Sequence, residues 1–266
     1  MSSFLHKIAP KAFVEFVETL GQIYELNKKT WQSIWRRPPS LSSISYEINE
    51  LGVKSFLIVL VTAIAVGLVM AVQFGYGLQR FGAKLYVPKI VTVSIVRELG
   101  PIFTALMLAG RVGAGIAAQI GSMAVTQQID AMRALGTDPY QKLIAPKIIA
   151  MVIAAPLLTV IADMVGIFGG MLIASSELGM SPFDYFFKAF SIINWRDMSG
   201  GLIKSVFFGY TIGLFGCYYG MKTRGGTLGV GLNTTQSVVS SSLAIVYLDF
   251  VLTKSIWLIE KVFIKG

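Results

Sequence analysis

Five apolar runs long enough to cross roughly 30 Å of hydrocarbon recur along the chain, at about 54–78, 88–120, 146–173, 200–221 and 236–259. Polar clusters separate them. The pattern predicts an all-α membrane protein with five transmembrane helices. If helical throughout, the second run is roughly 50 Å long, so it must tilt, break or project beyond the bilayer. Pro101 is the expected irregular point, because it lacks an N–H and leaves the carbonyl of Arg97 without its helical donor. Ahead of the runs, Phe13, Phe16, Val17, Leu20, Ile23 and Tyr24 share one helical face, with Lys11, Glu15, Glu18, Glu25 and Lys28 largely opposite. This spacing predicts a helix lying in the membrane interface, with Trp31 and Trp35 at headgroup depth. An amphipathic helix packed on a soluble partner satisfies the same spacing. Nothing near the start has the charged head, apolar core and small-residue cleavage site of a signal peptide. The expected organisation is an interfacial helix and linker over 1–45, then a transmembrane domain over 46–266.

Composition agrees with the runs: 54% of the 266 residues are hydrophobic and 14% charged, with a mean hydropathy of +0.67, outside the usual range of soluble domains. The net charge of +9 raises nucleic acid as a partner. However, the Lys and Arg residues are scattered between apolar runs and form no basic helix with interleaved aromatics, so a nucleic-acid role is excluded and membrane-surface charge is the better account. With the N-terminus inside, the cytoplasmic side collects Lys7, Lys11, Lys28, Lys29, Arg36, Arg37, Lys54, Arg133, Lys142, Lys147, Lys222 and Arg224. The outer side keeps Arg80, Lys84, Lys89, Lys188, Arg196, Lys261 and Lys265. That excess favours a cytoplasmic N-terminus and an outward C-terminus. The segment around 125–139 then faces the cytoplasm, and 174–199, with a short helix expected from about Pro182, faces outward. The lone Cys217 reads as a packing residue.

Small residues pair at helical spacing: Gly110 with Ala114, Ala114 with Ala118, Gly166 with Gly170, Gly209 with Gly213, and Gly216 with Gly220. Such pairs let backbones approach where lipid removes the hydrophobic drive, and packing within one subunit is the expected use of each.

Three groups of residues could carry function. Val125, Ile129, Met132 and Leu135 line one face of a short helix that Gly136 and Asp138-Pro139 terminate. At about ten residues it is too short to span and marginal alone in water, so its apolar face needs a surface, either a soluble partner or its own bundle. Arg97 and Glu98 are neighbours, so on a helix they point about 100° apart and each needs another partner or water. They could line a cavity for an amphiphile's zwitterionic or anionic headgroup, or snorkel as an interfacial pair. Arg111, which reads as buried, and Asp163, Lys204, Asp249 and Lys254 lie in or near apolar spans, where ionisable groups cost roughly 2.5 to 3.5 kcal/mol each at a helix centre. Cross-helix ion pairs and a proton relay are the two readings.

Enzyme signatures are missing. There is no G-x-x-x-x-G-K-[ST] loop to cradle ATP, no G-x-S-x-G, and a single histidine, His6, with no Cys or His cluster to hold a metal.

Arg97-Glu98-Leu99-Gly100-Pro101, Ala109-Gly110-Arg111, Gly121-Ser122-Met123, Ala131-Met132 and Gly136-Thr137-Asp138-Pro139 follow in order. Downstream come Pro156-Leu157-Leu158, Gly166-Ile167-Phe168-Gly169-Gly170, Leu202-Ile203-Lys204-Ser205 and Leu248-Asp249-Phe250-Val251-Leu252-Thr253. Over about 45–257 this ordered set closely resembles the MlaE (YrbE) permeases of bacterial phospholipid ABC transporters. The resemblance implies a non-catalytic inner-membrane homodimer. It implies a separate cytoplasmic ATPase (MlaF-like) that binds ATP and Mg, often a STAS-domain protein (MlaB-like), and a periplasmic MCE-domain protein (MlaD-like). Phospholipid would enter a cavity at the dimer interface. By position, Arg97 and Glu98, with Val72, Gln73, Tyr76 and Leu78 at the outer end of the first span, become candidates for the lipid cavity. The 125–136 segment, with Val125, Gln127, Gln128, Ile129, Asp130, Met132, Leu135 and Gly136, becomes the coupling helix to the ATPase. One departure stands out: Gln127-Gln128 occupy positions where the family carries Glu, which passes the acidic role to Asp130. Asp163 also stands where the family pattern leads one to expect an apolar residue.

Overall fold

The computed structural model describes residues 11–265, and all regular structure among them is helical. We number the helices α1, Lys11–Arg36; α2, Leu41–Gln79; α3, Lys84–Val125; α4, Gln128–Ala134; α5, Tyr140–Ser176; α6, Pro182–Ile192; α7, Trp195–Lys222; and α8, Gly226–Lys265. Five of these, α2, α3, α5, α7 and α8, are long and apolar enough to span a bilayer. They run longer than the apolar cores read from the sequence: α3 has 42 residues and α2 39. The extra turns are polar or amphipathic ends, invisible to a hydropathy window.

Backbone contact holds the bundle together. Helix α5 is central, with α2 on one flank and α7 on the other. Gly67 of α2 lies so close to Gly166 of α5 that a methyl group on Gly67 would stand 1.9 Å from the Gly166 carbonyl oxygen. At Gly209 of α7 the obstacle is the Met151 carbonyl, at 2.4 Å. The pairs Gly166/Gly170, Gly209/Gly213 and Gly216/Gly220 all pack within the subunit, as small-residue spacing allows. Gly110 instead faces open space. The larger core joins Leu108, Ile116, Ile120, Ile148, Met151, Phe208 and Ile212. A second core, around Val91, Ile95, Ile167 and Tyr185, closes the end of the bundle that carries α6. Burial there, outside the spans, pushes the Tyr185 hydroxyl well above its usual range.

Helix α3 is not uniform. Its turns widen to π geometry at Ile95–Leu99 and again at Ala109–Gly113, and the first widening immediately precedes Gly100-Pro101. Wide turns of this kind are inserted where a side chain must be re-aimed, often at functional sites.

Helix α1 has apolar residues on two faces. Ile23, Leu26, Thr30 and Ser33 are buried against the bundle, whereas Val17, Leu20, Tyr24, Trp31 and Trp35 are exposed. Ile23 therefore leaves the exposed apolar face expected from the sequence. Hydrogen bonds tie α1 down: Tyr218 Oη donates to Gln22 at 2.7 Å, Tyr210 Oη to Asn27 at 2.6 Å, and Ser33 Oγ to Asp138 at 2.8 Å. His6 and Lys7, and the side chains of Lys11, Phe13, Glu15 and Phe16, lie outside the described residues.

Candidate functional site

The widened turn Ile95–Leu99 sends Arg97 and Glu98 to different partners. Arg97 Nε donates to Asp197 Oδ1 at 2.6 Å. Asp197 is in place because it is the third residue of α7, where it closes a reciprocal cap with Asn194: the Asn194 backbone N–H donates to Asp197 Oδ2 at 3.1 Å. Glu98 pairs with Lys204 and also accepts from Thr253 Oγ1 at 3.3 Å.

Lys204 is the hub. Its side chain is only 3% exposed, and its ammonium lies 3.1 Å from Asp249 Oδ1 and donates to the Arg97 carbonyl at 3.2 Å. That carbonyl is the one Pro101 leaves without a helical donor. The buried ammonium thus hydrogen-bonds an orphaned backbone acceptor and the Glu98 carboxylate and lies within ion-pair distance of Asp249, whose Oδ1 has no hydrogen-bond partner among the described residues; a buried charge is tolerable when it is paired in this way.

These groups wall a recess of about 400 Å³, open on one side and completed by Arg196, Gly200, Gly201, Ile256 and Trp257. Burial sorts them. Asp197 and Lys204 stand behind, at 4% and 3% exposure, while the Arg97 and Glu98 side chains are 51% and 39% exposed. The surface offered to a ligand is a guanidinium beside a carboxylate, each pre-set by a buried counter-charge. Val72, Gln73, Tyr76 and Leu78 do not line this recess; they lie near the end of α2, with Tyr76 exposed.

The other intramembrane charges separate. Lys204 and Asp249 pair across α7 and α8, but Arg111, Asp163 and Lys254 join no such pair among the described residues. Arg111 is exposed, not buried, and its guanidinium donates to Ser55. Lys254 sits over the Trp257 ring at 4.7 Å, one turn away on its own helix. Asp163 packs its carboxyl against Gly100, and Oδ1 has no hydrogen-bond partner. No hydrogen bond among the described residues links it to Glu98 or Asp249. A further buried pair is absent from the sequence reading: Lys147, 1% exposed, is held by Glu47 at 2.7 Å and Gln119 at 2.8 Å. It had counted as surface charge.

At the opposite end of the bundle, α4 is shorter than the expected 125–136 helix. Val125 ends α3, Gln127 adopts a left-handed backbone at φ 58°, and the helix spans Gln128–Ala134 before Gly136 turns the chain at φ 73°. Ile129 is buried in the bundle at 4% exposure, Met132 is half-buried and Leu135 is 83% exposed. The four apolar residues therefore do not form one outward face: Ile129 anchors the helix, and Met132 and Leu135 remain for anything outside. Arg133 pairs with Asp130 at 2.8 Å. On α1 nearby, Glu25 is held below the usual carboxylate range by its hydrogen bond from Lys29 and by that ammonium's charge.

The model of the family described as Permease MlaE matches residues 44–255. The chain belongs to the MlaE permease family. It is 36% identical over 244 residues to a probable ABC transporter permease protein of Rickettsia felis, covering 92% of this chain and 94% of that one. A probable ABC transporter permease protein of Synechocystis is 39% identical over 78% of this chain and 79% of its own length. The intermembrane phospholipid transport system permease protein MlaE of Haemophilus influenzae is 34% identical over 78% of this chain and 80% of its own. This MlaE-family chain is thus an ABC-transporter-type permease with five membrane-spanning helices. The family match begins inside α2, at the first polar turns before its apolar core, and leaves α1 outside.

Proposed function

We propose that this chain is the permease subunit of an ATP-driven transporter that moves phospholipid between the inner membrane and a periplasmic MCE-domain protein. The observation that carries the reading is the recess at Arg97 and Glu98 in a chain of this family: a cation and an anion, side by side and half-exposed on a span, suit the charged headgroup of an amphiphile. The role of the Haemophilus relative, intermembrane phospholipid transport, supplies the substrate class. The α6 end with the recess is periplasmic in this reading, and the α4 end and the N-terminus are cytoplasmic, as the Lys and Arg bias favours.

The subunit works as a homodimer. Helix α8, of which only 6% of the apolar window is buried, and the face of α3 that carries the open Gly110 are the surfaces left for a second copy. Dimerisation would bring the recess together with the α2 positions Val72, Gln73, Tyr76 and Leu78 in one cavity. The chain is not catalytic. A cytoplasmic ATPase holds ATP and Mg, alone or with a STAS-domain protein, and α4 with Met132 and Leu135 receives its movement. Nucleotide-driven closure then shifts the cavity between lipid-accepting and lipid-releasing shapes.

Native mass spectrometry of the purified dimer tests the recess. Glu98→Arg removes the anion and breaks the pair with Lys204, and it should reduce bound phospholipid. Full occupancy in a folded variant would remove the recess from the lipid path.

A further inference from the structure

Helix α1 carries different chemistry on its two flanks. At 100° per residue, the exposed apolar residues Val17, Leu20, Tyr24, Trp31 and Trp35 fall on one face, and the buried Ile23, Leu26, Thr30 and Ser33 on another. Between them on one flank runs an apolar groove shared with Ile149, Val152 and Phe207 of the spans. The opposite flank, which carries Gln22, Glu25 and Lys29, forms a recess of about 1070 Å³ with Arg133 of α4 and Lys222 and Arg224 at the end of α7. With the exposed apolar face of α1 laid on the membrane, this second recess opens on the opposite flank, toward water and the headgroups.

Its charge is unbalanced. Lys29 is matched by Glu25 at 2.7 Å and Arg133 by Asp130 at 2.8 Å. Among the described residues Lys222 donates only to the Tyr218 hydroxyl, at 3.2 Å, and Arg224 meets no carboxylate. Two cations are therefore in surplus, drawn toward one opening by α1, α4 and α7. Glu18, one turn before Gln22 on the same flank, does not line the recess and joins no ion pair among the described residues. Charge surplus beside a docking helix favours an oppositely charged partner surface and speeds its encounter.

We propose that this recess receives an acidic segment of the cytoplasmic ATP-hydrolysing partner, so that the partner docks on α1 and the base of α7 as well as on α4. The inference rests on α4 being the partner's seat. Because Arg133 lies on α4 and also lines the recess, the two contacts are adjacent and move together.

The test measures binding of the purified cognate ATPase subunit to the full-length permease in nanodiscs. Lys222→Glu with Arg224→Glu should weaken binding roughly tenfold or more and flatten its dependence on salt. Lys222→Gln with Arg224→Gln, which adds no charge, should give a smaller loss in the same direction and guards against misfolding of the reversal. Unchanged affinity in both folded variants overturns the proposal. So does loss of bound phosphatidylglycerol in native mass spectrometry with ATPase affinity intact, which would make the recess a lipid-headgroup site. Met132→Asp separates the two readings: if it alone abolishes binding, the α4 seat stands and the recess falls; if neither change matters, the α4 seat itself fails.

Discussion

Lys147 shows how a residue's role depends on a partner that its neighbours in sequence do not reveal. Read along the chain it is a lysine beside Pro146 near the start of an apolar run, and it adds to the positive bias. In the fold it is almost fully buried, and Glu47, a hundred positions earlier, neutralises it. Removing one partner of a buried pair leaves an uncompensated charge, a loss of about 3 to 5 kcal/mol. Glu47→Gln should therefore lower the melting temperature of the detergent-solubilised protein markedly, and Glu47→Gln with Lys147→Met should recover most of it. Equal melting of wild type and single variant would contradict the pairing. Lys204 poses a harder case, since it serves Glu98, Asp249 and the Arg97 carbonyl. A charge swap of Lys204→Asp with Asp249→Lys places a second carboxylate beside Glu98, so the double change should remain unstable. Asp249→Asn alone should be milder than Lys204→Met, and the reverse order in a thermal-stability series would show that Lys204 is not the hub. Arg97, Glu98 and Pro101 were legible in the sequence because a charge or a proline inside an apolar run is anomalous by itself. Asp197 and Thr253 were not, because both stand at unremarkable polar positions and gain meaning only from the register of α7 and α8 against α3.

At the scale of elements, the five spans follow from hydropathy, but their ends and irregular turns do not. Apolar spacing continues across Val125, Ile129, Met132 and Leu135 and so predicts one helix. The left-handed Gln127 interrupts it and turns Ile129 inward. Periodicity reports which residues could share a face, not whether the backbone keeps its axis between them. Helix α4 therefore offers a smaller apolar surface than its sequence suggests, which concentrates the coupling prediction on Met132. Met132→Asp should leave insertion and melting intact and abolish lipid-dependent ATPase activity of the assembled transporter; retained activity would remove α4 from the coupling path. Close helix contact gives a complementary prediction. Gly209→Leu forces a side chain into the Met151 carbonyl and Ala155, and overpacking of this kind costs typically 1 to 3 kcal/mol or more. Gly110→Leu, in open space within one subunit, should leave the monomer fold intact and weaken self-association; a fully dimeric Gly110→Leu protein would place the dimer seam elsewhere.

The whole molecule reads as a membrane bundle with function at its two ends. At the α6 end, buried Lys204 and Asp197 hold Arg97 and Glu98 at the mouth of a recess. At the α4 end, a short anchored helix and a cationic recess on α1 face outward. Helix α3 connects them: it begins near the α6 end, widens at Ile95–Leu99 and Ala109–Gly113, and runs directly into the turn before α4. Both ends of the proposed device thus lie along one continuous helix. The most direct trial of this account is ATP-dependent transfer of labelled phospholipid between proteoliposomes containing the assembled transporter and its MCE-domain acceptor. Wild type should transfer lipid only with hydrolysable ATP, and Glu98→Arg should lose transfer while the complex still assembles. Undiminished transfer by that variant, or equal transfer by wild type without ATP, would contradict it.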